Sequence, residues 1–154
     1  MLDQEHAAFI QTGVSVNLAS CDADGLGSMI RGLACKVLDD GRVAIFVQRT
    51  PCRDLLANVE RSGNVASVFS QPSTHRTLQL KGRDARITTV DPCDLAIIRR
   101  HTDEFVQEVV PLGVPEAIIR TVYTCDPIDL AAVVFTPCAV FIQTPGPRAG
   151  EAVA

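Results

Sequence analysis

The sequence predicts a mainly β fold with α-helices, an antiparallel barrel-like sheet of six strands with helices at its flanks, and three observations carry that expectation. Across residues 76–87 apolar and polar side chains alternate and then change step at a glycine. Leu78 and Leu80 share one face, Thr77, Gln79 and Lys81 the other, while Ala85 and Ile87 fall in the register of Thr77. Period-two alternation is the mark of a strand with one face on a core, and a bulge at Gly82 would restore a single apolar face. The second observation is the turn Asp39-Asp40-Gly41 between two apolar runs, a hairpin signal. The third is element order: three strands, a helix, two strands, two helices and a strand, which favours an antiparallel barrel over a parallel α/β sheet.

The elements follow in order. Val14, Val16 and Leu18 alternate with Ser15, Asn17 and Ser20 before Asp24-Gly25, giving a first strand and a turn. Residues 28–38 form the second strand and residues 42–48, rich in Val, Ile and Phe, the third; the three make an antiparallel meander. Thr50-Pro51 is an N-cap followed by proline at the first helical position, and that helix runs through Leu55, Leu56 and Val59 to Ser62-Gly63. Residues 64–70 are the fourth strand, joined by a short loop to the bulged fifth. Asp91-Pro92 starts a second helix with Leu95, Ile98, Thr102, Phe105 and Val109 on one stripe, broken at Pro111-Leu112-Gly113. Residues 115–123 give a short third helix. A last strand spans residues 131–143 with an interruption at Pro137, and the tail is too small and polar to be core.

Composition bounds the function. A chain of 154 residues, 47% hydrophobic and 21% charged, is expected to be one domain, residues 1–154, with a sizeable core. A net charge of −4 and a pI near 5.3 argue against nucleic-acid and anionic-membrane binding, which need basic surfaces. No apolar run is long enough for a membrane span, and the start MLDQEHAAF is not an export signal, so a cytoplasmic protein is expected. The cysteines at 21, 35, 52, 93, 125 and 138 lack metal-ligand spacing and are read as free, mostly buried thiols.

Chemistry is concentrated in QRTPCR, residues 48–53. First-turn amides of a helix have no internal partner and carry partial positive charge, so this point suits a phosphate, with Arg53 adding a charge-assisted bond and Arg49 close by. A capped surface helix with two solvated arginines has the same sequence. Arg31 and Gly32 end near the same place if the sheet curls, and Thr77 and Gln79 supply neutral donors and acceptors on the polar face of the fifth strand. His75 is a loop histidine beside that strand, and His6 and His101 read as surface residues. Gly25, Gly27 and Gly32 precede a strand, which is the wrong setting for a dinucleotide loop.

The segments SMIRG, FVQRTPCRDLLANV, NVASVFSQP, HRTLQLKGRDARI and VFIQTPGPRAG, in that order, resemble the pyridoxamine 5'-phosphate oxidase-like family, the FMN-binding split barrels. The resemblance covers residues 13–150. It implies a six-stranded antiparallel split β-barrel, usually a homodimer, with FMN in a groove between subunits. Matched residue by residue, it places Met29, Ile30, Arg31 and Gly32 along the flavin ring, and Gln48, Arg49 and Thr50 at the end of the next strand. Arg53 falls at the phosphate, and Thr77 and Gln79 on a strand that touches the cofactor. The true oxidases carry a tryptophan in the last strand where this chain has Ile142, and a histidine and an arginine where it has Gly150 and Ala152; only Arg148 keeps an arginine. The substrate side is stripped, which argues against pyridoxamine phosphate oxidation. The resemblance therefore implies a dimeric FMN oxidoreductase acting on an unidentified small molecule. A deazaflavin- or haem-binding relative, and a barrel that only binds or stores a ligand, are the other readings.

Overall fold

A computed structural model describes residues 2–153. Its first element is a helix, α1 (Gln4–Ile10), whose Asp3 carboxylate caps the His6 amide at 2.8 Å. The strand reading has no counterpart for it, because only Phe9 and Ile10 of its seven residues are buried. β1 (Ser15–Cys21) follows with strict alternation of burial. β2 (Gly27–Arg31) pairs antiparallel with β1, and β3 (Ala34–Val37) pairs antiparallel with β4 (Val43–Gln48).

The expected second strand is thus divided at Gly32-Leu33. The Gly32 amide still bonds the Val16 carbonyl while the Leu33 amide bonds Phe46 in the other sheet. A Cβ on Gly32 would stand 2.9 Å from the side chains of both Ile45 and Val16, so the corner closes only around a bare backbone.

A single turn of 3-10 helix, Thr50–Cys52, leads into α2 (Arg53–Ser62). Leu55, Leu56 and Val59 of α2 are buried in the barrel core. Gly63 ends the helix in the left-handed region at φ 66°, which a glycine reaches without steric cost. β5 (Val65–Ser70) then pairs with β1 and with β6 (Thr77–Gly82).

The bulge expected at Gly82 is not formed: the register runs unbroken to Val65 opposite Gly82, and the strand ends there. After Arg83-Asp84 the chain enters the second sheet as β7 (Arg86–Thr88), paired with β8 (Leu130–Phe135). The parity change in the sequence marks this passage from one sheet to the other. The last strand is divided in the same way, into β8 and β9 (Ala139–Ile142), with Thr136–Cys138 as the corner.

Among the described residues nine strands therefore stand where six are expected, because three of the expected strands each bend through a corner and are shared between sheets. The sheets are β2-β1-β5-β6-β9 and β3-β4-β8-β7, both antiparallel and not joined into one closed barrel. Their facing sides enclose a core of Val16, Leu18, Ile45, Phe69, Leu80, Val133 and Phe135. β4 and β8 are apolar on both faces because the outer side of their sheet carries α3 (Asp94–Val109) and α4 (Glu116–Val122). Phe46, Phe105, Ile98, Ile119 and Tyr123 meet there in a second core. His101, read as a surface residue, is in fact 2% exposed on the inward stripe of α3, beside Tyr123 and Phe105, whereas Thr102 is only partly buried.

The tail also departs from expectation. Residues 150–153 fold back along β9, with the Val153 amide on the Val140 carbonyl at 2.8 Å and Val153 packed against the core. Of the cysteines, Cys35 and Cys52 are buried, Cys125 is partly covered, and Cys21, Cys93 and Cys138 are exposed, so the expectation of mostly buried thiols does not hold.

One face lacks a cover. On the outer side of the five-stranded sheet, register aligns Arg31, Asn17, Val68, Gln79 and Phe141 in one row and Met29, Ala19, Ala66, Lys81 and Ala139 in the next. Asn17, Ala19, Ala66, Val68 and Phe141 are all only partly buried.

Candidate functional site

The edge strand β2, the end of β4 with the 3-10 turn that precedes α2, and the end of α4 meet in a cleft of about 350 Å³, lined by Ile30, Arg31, Leu33, Gln48, Pro51, Thr121, Val122 and Thr124. Strand alternation sorts the β2 residues. Met29 and Arg31 point out of the barrel, with Met29 73% exposed, while Ile30 packs against the core and Gly32 forms the corner. Of these four, then, Met29 and Arg31 turn their side chains outward, where a ligand could meet them.

Arg31 is held by Tyr123. Its Nη1 donates to the Tyr123 hydroxyl at 3.4 Å and to Ser15 Oγ at 3.3 Å, and its guanidinium lies 5.9 Å from the centre of the tyrosine ring. Burial pushes the Tyr123 phenol above its ordinary pKa, with Arg31 opposing that shift, so the phenol stays protonated and can also donate. Sequence reading missed Tyr123, although it is the chain's single tyrosine.

Gln48 closes the other side of the cleft, its Nε2 donating to the Thr124 carbonyl at 2.6 Å. Arg49 turns away: its Nε donates to the Leu130 carbonyl at 3.1 Å and its amide to the Asp129 carbonyl at 2.7 Å, so it ties the start of α2 to β8. Thr50 is engaged by Asp129, whose carboxylate accepts from the Thr50 amide at 3.1 Å and from its hydroxyl at 2.8 Å. The helix start read as free for a phosphate thus already holds a carboxylate. Cys52 behind it is buried, and burial first, then the Asp129 charge, push its thiol up to about 11, which makes it a packing group and not a nucleophile. Arg53 opens α2 with an exposed side chain and, among the described residues, takes part in no salt bridge.

Thr77 and Gln79 lie elsewhere. Gln79 shares Arg31's row, but three strand spacings separate them, roughly 14 Å. Thr77 is 9% exposed, and its hydroxyl is within hydrogen-bond distance of Ser70 Oγ at 2.9 Å and of the His75 carbonyl at 3.0 Å. Gln79 accepts weakly from Gln143 at 3.4 Å. The chain therefore brings Arg31 and Gln48 together beside Pro51, with Thr50 and Arg53 adjacent to it in sequence, and leaves Thr77 and Gln79 at the far side of the uncovered face. Arg148 pairs with Glu151 at 2.8 Å and is 70% exposed.

No protein-family profile matches the sequence, and no curated protein does. Solved structures do. A putative pyridoxamine 5'-phosphate oxidase from Lactobacillus delbrueckii superposes with a TM-score of 0.56 at 18% identity, over 91% of this chain and 93% of that one. The chain has the pyridoxamine 5'-phosphate oxidase-like split-barrel fold. An F420 reductase matches over 86% of this chain and 93% of its own, at 17% identity and a TM-score of 0.55. A pyridoxamine 5'-phosphate oxidase-related, FMN-binding protein from Nostoc punctiforme matches over 92% and 87%, at 12% identity and a TM-score of 0.50. Split-barrel folds of this type include flavin- and deazaflavin-related proteins, and the likeness here is one of fold. Among the described residues no helix is long and apolar enough to cross a membrane.

Proposed function

We propose that the chain is a cytoplasmic, homodimeric, single-domain flavoprotein that binds FMN and serves as an oxidoreductase for a small molecule. The observation that carries this reading is the cleft in which Arg31, held by Tyr123, faces Gln48 at the open edge of the uncovered sheet face. The fit to FMN is good at the ring and contested at the phosphate. Exposed Met29 and half-buried Ala19, Ala66 and Val68, from two neighbouring rows, suit a flat, apolar ring, Arg31 suits a polar ring edge, and Arg53 suits a phosphate, whereas Asp129 opposes one. When bound, FMN supplies the redox chemistry, and the protein binds, orients and shields it.

A second reading, a deazaflavin in the same place, is favoured by the likeness to an F420 reductase. The absorption spectrum of the purified protein tests these readings. Bands in the blue and near ultraviolet mark a flavin, a Soret band would mark a haem, and a protein with neither that retains no FMN through desalting after incubation with it would overturn the proposal.

Arg53→Ala is expected to weaken FMN binding by about 1.5 to 3 kcal/mol, the range for a hydrogen bond to a charged group, while riboflavin, which lacks the phosphate, changes far less. Equal losses in paired titrations would remove Arg53 from the phosphate. The uncovered face supports the proposed homodimer, in which a second copy would bury Ala19, Ala66, Val68 and Phe141 and complete a groove that one chain half-builds. Sedimentation at micromolar concentration should give twice the 16.5 kDa chain mass. A monomer that holds FMN tightly would rule out the shared groove.

A further inference from the structure

The start of α2 carries a second message. Around it lies a broad hollow of about 610 Å³ lined by Gln48, Thr50, Pro51, Asp126, Ile128 and Asp129. Two of these six residues are carboxylates and none is basic. Asp126 is used locally, its Oδ1 accepting from the Ile128 amide at 3.1 Å and so shaping the 3-10 turn Pro127–Asp129. That turn sets Asp129 against Thr50, and the backbone bond from the Arg49 amide to the Asp129 carbonyl at 2.7 Å locks the two segments together. The Asp129 carboxylate then takes both polar hydrogens of Thr50, amide and hydroxyl, one on each oxygen. Its charge also reaches the buried Cys52 behind the turn.

We propose that Asp129 is a specificity-determining residue: a resident carboxylate that occupies the donors a ligand's phosphate would use, and so weakens the contribution a ligand's phosphate makes to binding at the start of α2. The inference rests on the reading of the cleft as a flavin-type site. Three features make Asp129 an effective competitor. It is covalently part of the chain and is positioned by a proline-initiated turn, so its effective concentration at Thr50 is high. It satisfies donors that would otherwise face water, which removes the incentive for an external anion. A phosphate brought to the Thr50 donors would meet the like charge of Asp129 at close range, and that repulsion grows as the separation shrinks. Among phosphate-bearing and phosphate-free forms of one ring system, the wild-type protein therefore discriminates weakly. The selectivity that Arg53 offers is offset by Asp129.

The test separates this inference from the flavin reading by using inorganic phosphate as its first probe. Asp129→Asn removes the charge and keeps an oxygen that accepts from Thr50; Asp129→Glu keeps the charge and serves as the control. Thermal melts of the full chain are recorded with increasing phosphate against chloride of matched ionic strength. Asp129→Asn should gain phosphate-dependent stabilisation that the wild type and Asp129→Glu lack, and Arg53→Ala in the Asn background should abolish it. In titrations, the ratio of FMN to riboflavin affinity should rise about tenfold in Asp129→Asn, corresponding to about 1.4 kcal/mol. An Asn variant with native circular dichroism and no phosphate response overturns the inference, even if every variant binds FMN. If no variant binds any flavin and the Asn variant still gains a phosphate response, the flavin reading falls and the role of Asp129 at the anion-binding donors stands.

Discussion

Replacing Gly82 by valine is expected to destabilise the protein by about 3 kcal/mol or more, at the upper end of what overpacking a core costs. A Cβ at residue 82 would lie 2.4 Å from Cδ2 of Phe135 and 2.9 Å from its Cγ, closer than carbon atoms approach, and valine adds two further methyl carbons. Phe135 has no room to yield. It is 1% exposed, and the corner that follows it is fastened by the Thr136 amide on Asp84 at 2.9 Å and the Cys138 amide on the Lys81 carbonyl at 2.8 Å. For a domain of this size the loss corresponds to a fall in Tm of roughly 6 to 12 °C. Adding Phe135→Leu should recover part of it, because the two residues contest one volume. A Gly82→Val protein with the wild-type thermal midpoint would mean that β6 and β8 do not meet as described.

Gly82 also shows how far the sequence carries the fold. The alternation that located β6 was legible because burial on one face imposes period two on the side chains, and the hairpin between β3 and β4 because Asp40-Gly41 has few other uses. What the parity change at residue 82 meant was not legible. A bulge and a passage to another sheet produce the same shift in step, and the choice rests on Phe135, some fifty residues away in the chain. The corner at Gly32 is the same case, decided by Ile45 and Val16. α1 escaped notice because seven residues with two buried positions give too short a period to stand out.

The site was legible in parts. QRTPCR was recognisable as a strand end running into a helix start, and Arg31 and Gln48 do share a cleft with Pro51. Asp129 was invisible as a cap because its partner Thr50 lies 79 residues away and a cap formed across that distance leaves no local spacing. Tyr123 was hidden for the same reason. Thr77 and Gln79 were placed on the correct face, but a face is wide, and only the strand order β2-β1-β5-β6 separates them from Arg31.

His101 was within reach of the pattern: the spacing that turns Ile98 and Phe105 inward also turns residue 101 inward, and only its polarity argued otherwise. Its burial has a consequence for acid stability. The backbone of Thr12 and Val14 faces the ring and offsets part of the desolvation, yet neither ring nitrogen has a hydrogen-bond partner. Burial, the largest influence, holds its pKa down at about 4, against 6.5 in an open chain, and the neighbouring Arg100 charge pushes the same way. The folded pKa is the lower one, so between these values the unfolded chain binds a proton that the native protein refuses. Stability from this group is therefore complete above pH 6.5 and is lost progressively as pH falls toward 4. The full span is worth about 3 kcal/mol at roughly 1.4 kcal/mol per pH unit. The carboxylates with lowered pKa act in a lower window: the contributions of Asp3, Asp40, Asp84 and Asp91 are lost as pH falls below about 3.8, and that of Glu108 as pH falls below about 4.5. Urea unfolding at pH 7.5, 5.5 and 4.5 should thus show a stability loss that His101→Phe largely removes. At pH 7.5 that variant should be at least as stable as wild type, because an unpaired buried imidazole gives way to a ring that needs no partner beside Phe105 and Tyr123. A wild-type stability that is flat from pH 7.5 to 4.5 would place His101 in contact with water, and the packing of α3 against the turn at residues 12–14 would have to be redrawn.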